Sequence, residues 1–173
     1  MFCGWGIRTI GAGEVRYNPM SYHNGSVWPH DNALIGLGFS LYHFGEHVSQ
    51  ILAALLDVSR DVELNRLPEL FCGFHKRPGD HGPTLYPVAC APQAWAAGSV
   101  FLLLRACLGL TVRGTERQIA FDKPTLPKGL NELSIRNLRV GDASVDLLIH
   151  RRDYGVVVEA SRKRGEIEIF KSI

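Results

Sequence analysis

The four cysteines, Cys3, Cys72, Cys90 and Cys107, include no CxxC pair, and each stands among apolar or small residues. That spacing excludes the usual thiolate zinc site and a redox dithiol, and leaves free thiols as the expectation. Long hydrophobic runs are also missing: the longest, residues 100–110, is broken by Arg105 and is too short to span a bilayer. No signal-peptide pattern opens the chain, where Trp5, Arg8 and Glu14 stand instead. Together these features predict a reducing, cytoplasmic setting without a membrane partner. Charge of one sign is equally scarce. A formal net charge of +2 offers no field that would gather nucleic acid or an anionic membrane. The chain has no HExxH, GxSxG, phosphate loop or dinucleotide fingerprint. His23, His30, His75 and His81 lack ligand spacing, so neither metal nor cofactor is expected.

What remains is an ordinary globular composition, 46% apolar and 21% charged, which is enough to bury a core in 173 residues. The pattern changes near residue 112 and suggests two parts, residues 1–112 and 113–173. In the first part, residues 31–44 read as a helix apolar around most of its circumference, and therefore buried on most sides. Gly36 and Gly38 are expected to admit a close neighbour, and Gly45 to stop the helix. Residues 47–60 place Val48, Ile51, Leu52, Leu55 and Val58 on one helical face. A third helix is expected from about Pro92 to Leu108. In the second part, short β-branched runs near 118–121, 133–140, 144–150, 156–161 and 166–170 predict a small antiparallel β module. The fold class is α+β.

Two long irregular stretches, residues 11–29 and 61–91, lead into helix starts, and loops of this length usually have a function. The densest cluster runs from Tyr17 through Met20, Tyr22, His23, Asn24, Trp28, His30 and Asp31 to Asn32. Aromatic faces stack on the C–H faces of sugar rings, while Asn, His and Asp bond to hydroxyls. An apolar lining with a few placed polar groups is the general make-up of a ligand site. Singly, Asp31 or Asn32 could cap the helix, Trp28 could be core and His23 could bond to backbone. In a second motif, Pro68 and Leu70 flank Glu69. An apolar setting raises a carboxylate's pKa and a nearby Arg66 lowers it, so a buried ion pair and a working base are both open. In a third, Gln93 and Trp95 fall in the first turn of the third helix, facing a pocket or packed in the core.

Four blocks carry a resemblance: Gly4-Trp5-Gly6-Ile7-Arg8-Thr9, the run from Tyr17 to Asn32, the run from Arg66 to Gly73, and Tyr86 to Cys90 continuing through Pro92-Gln93-Ala94-Trp95. In order and spacing they resemble the carboxy-terminal part of the catalytic domain of amylo-α-1,6-glucosidase (glycogen-debranching) type glycoside hydrolases. The resemblance implies a partial (α/α) six-hairpin toroid of about three helices, acting on an oligosaccharide or polysaccharide with inversion at the anomeric centre. It turns Glu69 into the expected general base. Trp5, Arg8, Tyr22, His23, Asn24, Trp28, His30, Gln93 and Trp95 become the expected substrate-binding residues. An inverting enzyme also needs a general acid, its carboxyl group roughly 6.5–9.5 Å from the base. The family's acid lies upstream, so the chain is expected to be inactive alone and to need the missing N-terminal part of the toroid as a partner. Such a chain reads as a gene remnant, a mis-assigned start or one piece of a split protein. Two alternatives stand beside this reading: a non-catalytic carbohydrate- or partner-binding remnant, and an α/α-toroid sugar phosphorylase or epimerase using Arg66, Lys76 or Arg77 for phosphate.

Overall fold

The computed structural model describes residues 1–79 and 81–172. It is an α+β chain with three α-helices followed by two small sheets. Helix α1 (Pro29–Leu41) starts two residues earlier than the periodicity suggested, because Pro29 takes the first helical position. It also ends earlier. His43 adopts a left-handed φ of 62° and turns the chain, so Gly45 begins helix α2 (Gly45–Arg60) instead of stopping α1. The one-sided pattern of α2 is realised as read, with Val48, Ile51, Leu52, Leu55 and Val58 all buried. Helix α3 (Ala94–Leu108) begins beyond Pro92 and ends on Gly109, whose φ of 55° is the usual left-handed helix cap.

The relative direction of the helices follows from their contacts. His30 stacks on Trp95, a Cβ at Gly36 would press on Leu103, and Ser40 donates its hydroxyl to the Ala106 carbonyl. Positions rise together along both helices, so α1 and α3 run parallel with their N-termini at one end. The turn at residues 42–44 folds α2 back antiparallel to both, bringing Gly36 beside Val48 and Ser49 beside Cys107.

Burial of α1 is narrower than its composition implied. Leu34, Leu41, Tyr42 and Phe44 are exposed, and a Cβ at Gly38 would meet nothing within 4 Å. Only Gly36 serves a close approach. On α3 the residues Ala94, Ala97, Gly98 and Phe101 form a similar uncovered face, Phe101 being 76% exposed.

The strands are β1 (Leu110–Arg113), β2 (Gln118–Asp122), β3 (Glu132–Val140), β4 (Ala143–Arg152), β5 (Gly155–Arg164) and β6 (Glu168–Ser172). Strands β3, β4 and β5 form an antiparallel meander. The other sheet is mixed: β1 pairs antiparallel with β2, but β6 runs parallel to β2. Alternation drives Ile119 and Phe121 of β2 and Val145, Leu147 and Ile149 of β4 into one cluster between the sheets. A separate cluster holds the helices to Trp5, Val27, Leu67 and Phe71, and Leu104 packs against both clusters.

Candidate functional site

The two irregular stretches are tied together by single backbone bridges. Arg8 pairs with Val27, Val27 with Phe71, and Phe71 with Leu85, all antiparallel. The first two bridges join the first three sequence blocks, and the third ends at Leu85, directly before the fourth, so blocks far apart in the chain meet at one place. Residues 67–73 are the middle of this assembly, and all seven are buried. Val27 and Phe71 exchange both backbone bonds, at 2.9 and 3.0 Å. Gly73 donates to the Pro19 carbonyl at 2.8 Å and Cys72 to that of Thr84 at 2.9 Å.

Glu69 is the one charged side chain in that buried segment. Its Oε1 accepts the Tyr22 hydroxyl at 2.8 Å and its Oε2 the Cys90 amide at 3.3 Å. Its own amide donates to the Cys90 carbonyl at 2.9 Å. Among the described residues no cation lies within ion-pair distance of it, and Arg66 is exposed, so the Arg66–Glu69 pair left open by the sequence does not form. A carboxylate has about four acceptor positions. Two donors therefore hold it in place and leave lone pairs for a further donor such as water.

Tyr22 is the centre of an aromatic row. Its ring meets those of His23 at 4.7 Å, Trp28 at 4.9 Å and Tyr86 at 5.5 Å, all edge-on. Trp28 touches Trp95 at 6.3 Å, and Trp95 lies flat against His30 at 5.1 Å. Edge-to-face contacts at such spacings are individually favourable and fix ring orientation. The hydrogen bond to Glu69, aided by partial burial, pushes the Tyr22 phenol above its ordinary pKa of 10. The sign follows directly: the folded state prefers the neutral phenol. Its stabilisation is complete below pH 10 and is lost as pH rises through the elevated folded value. In an alkaline absorbance titration, one of the five tyrosines should ionise late, and Glu69→Gln should bring it back toward pH 10.

The structure thus brings Glu69, Tyr22, His23, Trp28, His30 and Trp95 together. Trp28 is mostly buried and its indole N–H is spent on the Ser26 hydroxyl and the Tyr22 carbonyl, whereas Trp95 is 45% exposed. Gln93 stands beside the row as the N-cap of α3 rather than in its first turn, and its Oε1 accepts the Ala94 amide. Three expected residues are placed elsewhere. Trp5 is buried beneath Lys76, whose ammonium lies 4.2 Å from its ring centroid. Arg8 is buried and gives its Nε to the Gly73 carbonyl. Asn24 lines a separate hollow of about 610 Å³ with Thr9, Glu14 and Arg16. Asn32 caps nothing; its amide bonds to both backbone groups of Ile7 and ties the N-terminal segment to α1. Sequence reasoning missed Tyr86 as a site residue and the backbone of Cys90 as a donor. Tyr86 had a signal, its place in the block before α3; the Cys90 amide had none.

In comparison with known proteins, no family model and no curated protein matches the chain.

A second hollow, about 380 Å³, sits between the α1–α2 turn, the end of α3 and β2, also away from Glu69. A second carboxylate at the row is Asp31, exposed and 3.7 Å from His30. Among the described residues no group of three His, Cys, Asp or Glu side chains is placed to hold a metal ion, and no helix is long and apolar enough to cross a membrane. All four cysteines are free; Cys90 is exposed at the row, while burial pushes the Cys107 thiol up to about 11. Because the thiolate is the reactive form, a thiol reagent at pH 8 should label Cys90 alone in the native protein. Denaturation should raise the count to all four.

Proposed function

We propose that this chain supplies the base side of an inverting glycoside hydrolase acting on α-glucosidic linkages, α-1,6 in particular. One observation carries the reading: a buried carboxylate, held by two neutral donors and, among the described residues, no cation, is bonded to the central ring of an aromatic row. An inverting base must be ionised, fixed, and able to accept a proton from water poised on one face of the sugar. In this reading Tyr22 and the Cys90 amide orient Glu69, which takes the proton of the attacking water. The exposed face of Trp95, backed by His30, stacks on the glucosyl ring, and Tyr86 and His23 border it.

The general acid is proposed to come from helical hairpins upstream that complete an (α/α) toroid. Two features support that part. The parallel pair α1 and α3 with α2 folded back against them has the inner–outer–inner arrangement expected of such a ring. The apolar residues Leu34, Leu41 and Phe101 lie uncovered on the flanks where further helices would pack. Sugar phosphorolysis is less well supported, because Lys76 is engaged by Asp57 at 2.9 Å and by Trp5, and Arg66 makes no approach to Glu69. Binding without catalysis is favoured by the solvent-facing position of Asp31.

The test is to combine the chain, in trans or as a fusion, with the upstream hairpins and to follow reducing sugar released from α-1,6 oligosaccharides. Release with inverted product supports the reading; a well-folded combination that binds isomaltose but releases nothing supports the binding module instead.

A further inference from the structure

Ser59 and Ser99 spend their hydroxyls on the carbonyl three residues back in their own helices. Ser26 differs. It stands outside any helix or strand, is fully buried, and both gives and takes a side-chain hydrogen bond. Its hydroxyl donates to the Tyr22 carbonyl at 2.6 Å and accepts the Trp28 indole N–H at 3.0 Å. The same indole N–H reaches the Tyr22 carbonyl at 3.2 Å, so residues 22, 26 and 28 close a ring of polar contacts.

Tyr22 depends on that ring. Its neighbours in the turn are held by backbone, Asn18 donating to the Asn24 carbonyl at 2.7 Å and Ser21 to that of Asn18 at 2.9 Å. Among the described residues the Tyr22 backbone makes no such bond, and its carbonyl is met by the Ser26 hydroxyl and the Trp28 indole alone. Ser26 itself is firmly anchored. The Gly25 amide before it bonds to Thr9 Oγ1 at 2.8 Å, and its own carbonyl accepts the Thr9 amide at 2.9 Å. Val27 after it exchanges both backbone bonds with Phe71, two residues from Glu69.

We propose that Ser26 is a positioning residue for the candidate site, holding Tyr22 and, through its phenol, Glu69. A single buried hydroxyl transmits the fixed pairings of Thr9 and Phe71 to a turn that has no backbone bond of its own at residue 22. The hydroxyl has one proton to give, and that proton is committed to the Tyr22 carbonyl. Ser26 therefore acts through its neighbours and not on a ligand. It also orients the Trp28 ring, which meets Tyr22 edge-on at 4.9 Å and Trp95 at 6.3 Å. Carboxylate and aromatic row thus share one support. What this positioning serves rests on the reading of Glu69 as a base; the geometry it sets does not.

The test uses the full chain and two spectroscopic signals. In an alkaline absorbance titration, Ser26→Ala should bring the late-ionising tyrosine back toward pH 10, because the phenol loses its hold on the carboxylate. In proton–nitrogen NMR the Trp28 indole proton of the variant should exchange with solvent about tenfold faster. A lower urea midpoint with the late tyrosine and the slow indole both unchanged would show a merely structural serine and overturn the proposal. If Ser26→Ala does not fold, Ser26→Cys keeps the volume, weakens both bonds, and is read by the same two signals. The native chain supplies a check that needs no variant: its Trp28 indole should exchange more slowly than that of Trp95, and equal rates would overturn the proposal. Failure of the completed assembly to hydrolyse sugar would remove the base reading and leave these signals in place. Signals indifferent to Ser26 would remove the positioning and leave the base reading standing.

Discussion

Under the proposed hydrolase reading, replacing Glu69 by glutamine in the chain combined with the upstream hairpins should lower kcat by roughly 10²–10⁴, the usual contribution of a positioned general base, while KM changes little. Glutamine has almost the same shape, and its carbonyl oxygen can still accept the Tyr22 hydroxyl, so the fold should survive. What it loses is the ability to take a proton from water. Tyr22→Phe should act on the same step more weakly, because the Cys90 amide still restrains the other carboxylate oxygen. A Glu69→Gln enzyme that keeps the wild-type rate would remove the base assignment, whatever remained of binding.

The second large effect is on stability. A Cβ at Gly73 would lie 1.7 Å from the Gly25 carbonyl oxygen, a backbone atom that no side-chain rotation can move. Gly73→Ala must therefore push apart the irregular segments that carry Glu69 and Tyr22. We expect a loss near or above the upper end of overpacking costs, about 3 kcal/mol, seen as a lower urea midpoint and a weakened near-ultraviolet aromatic signal. Gly98→Ala is the contrasting case. Nothing lies within 4 Å of its Cβ and the site is helical, so the change should stabilise the protein by about 0.5–1 kcal/mol. Equal effects from both substitutions would contradict the packing described around Gly73.

The legible parts of this fold are those set by local periodicity. Helix α2 shows one apolar face and was placed to within two residues. Helix α1 was overextended because its apolar residues continue through Phe44, while the turn is made by His43 in a left-handed conformation that composition does not signal. Strand β1 has no legible signal, because its four residues, Leu110–Arg113, are too few to show an alternation. The parallel pairing of β2 with β6 depends on contacts 50 residues apart, and no local pattern encodes it.

For the site, a concentration of aromatic and polar residues in irregular chain was enough to single out the region between residues 17 and 32. The bridges through Val27 and Phe71 were not legible, since single-residue pairing has no period. Trp5 and Arg8 were expected in the site from the resemblance alone. Their side chains are consumed by Lys76 and the Gly73 carbonyl, so they brace the assembly from behind.

The claim beneath all of this is that the row from Tyr86 to His30 recognises a glucosyl unit beside Glu69. Calorimetric titration of the folded chain with isomaltose, repeated on Trp95→Ala, addresses it most directly. The account predicts weak, saturable binding by the parent and at least a tenfold loss in the variant. Heat from the parent that Trp95→Ala leaves untouched, or no heat from a protein shown to be folded, would contradict it.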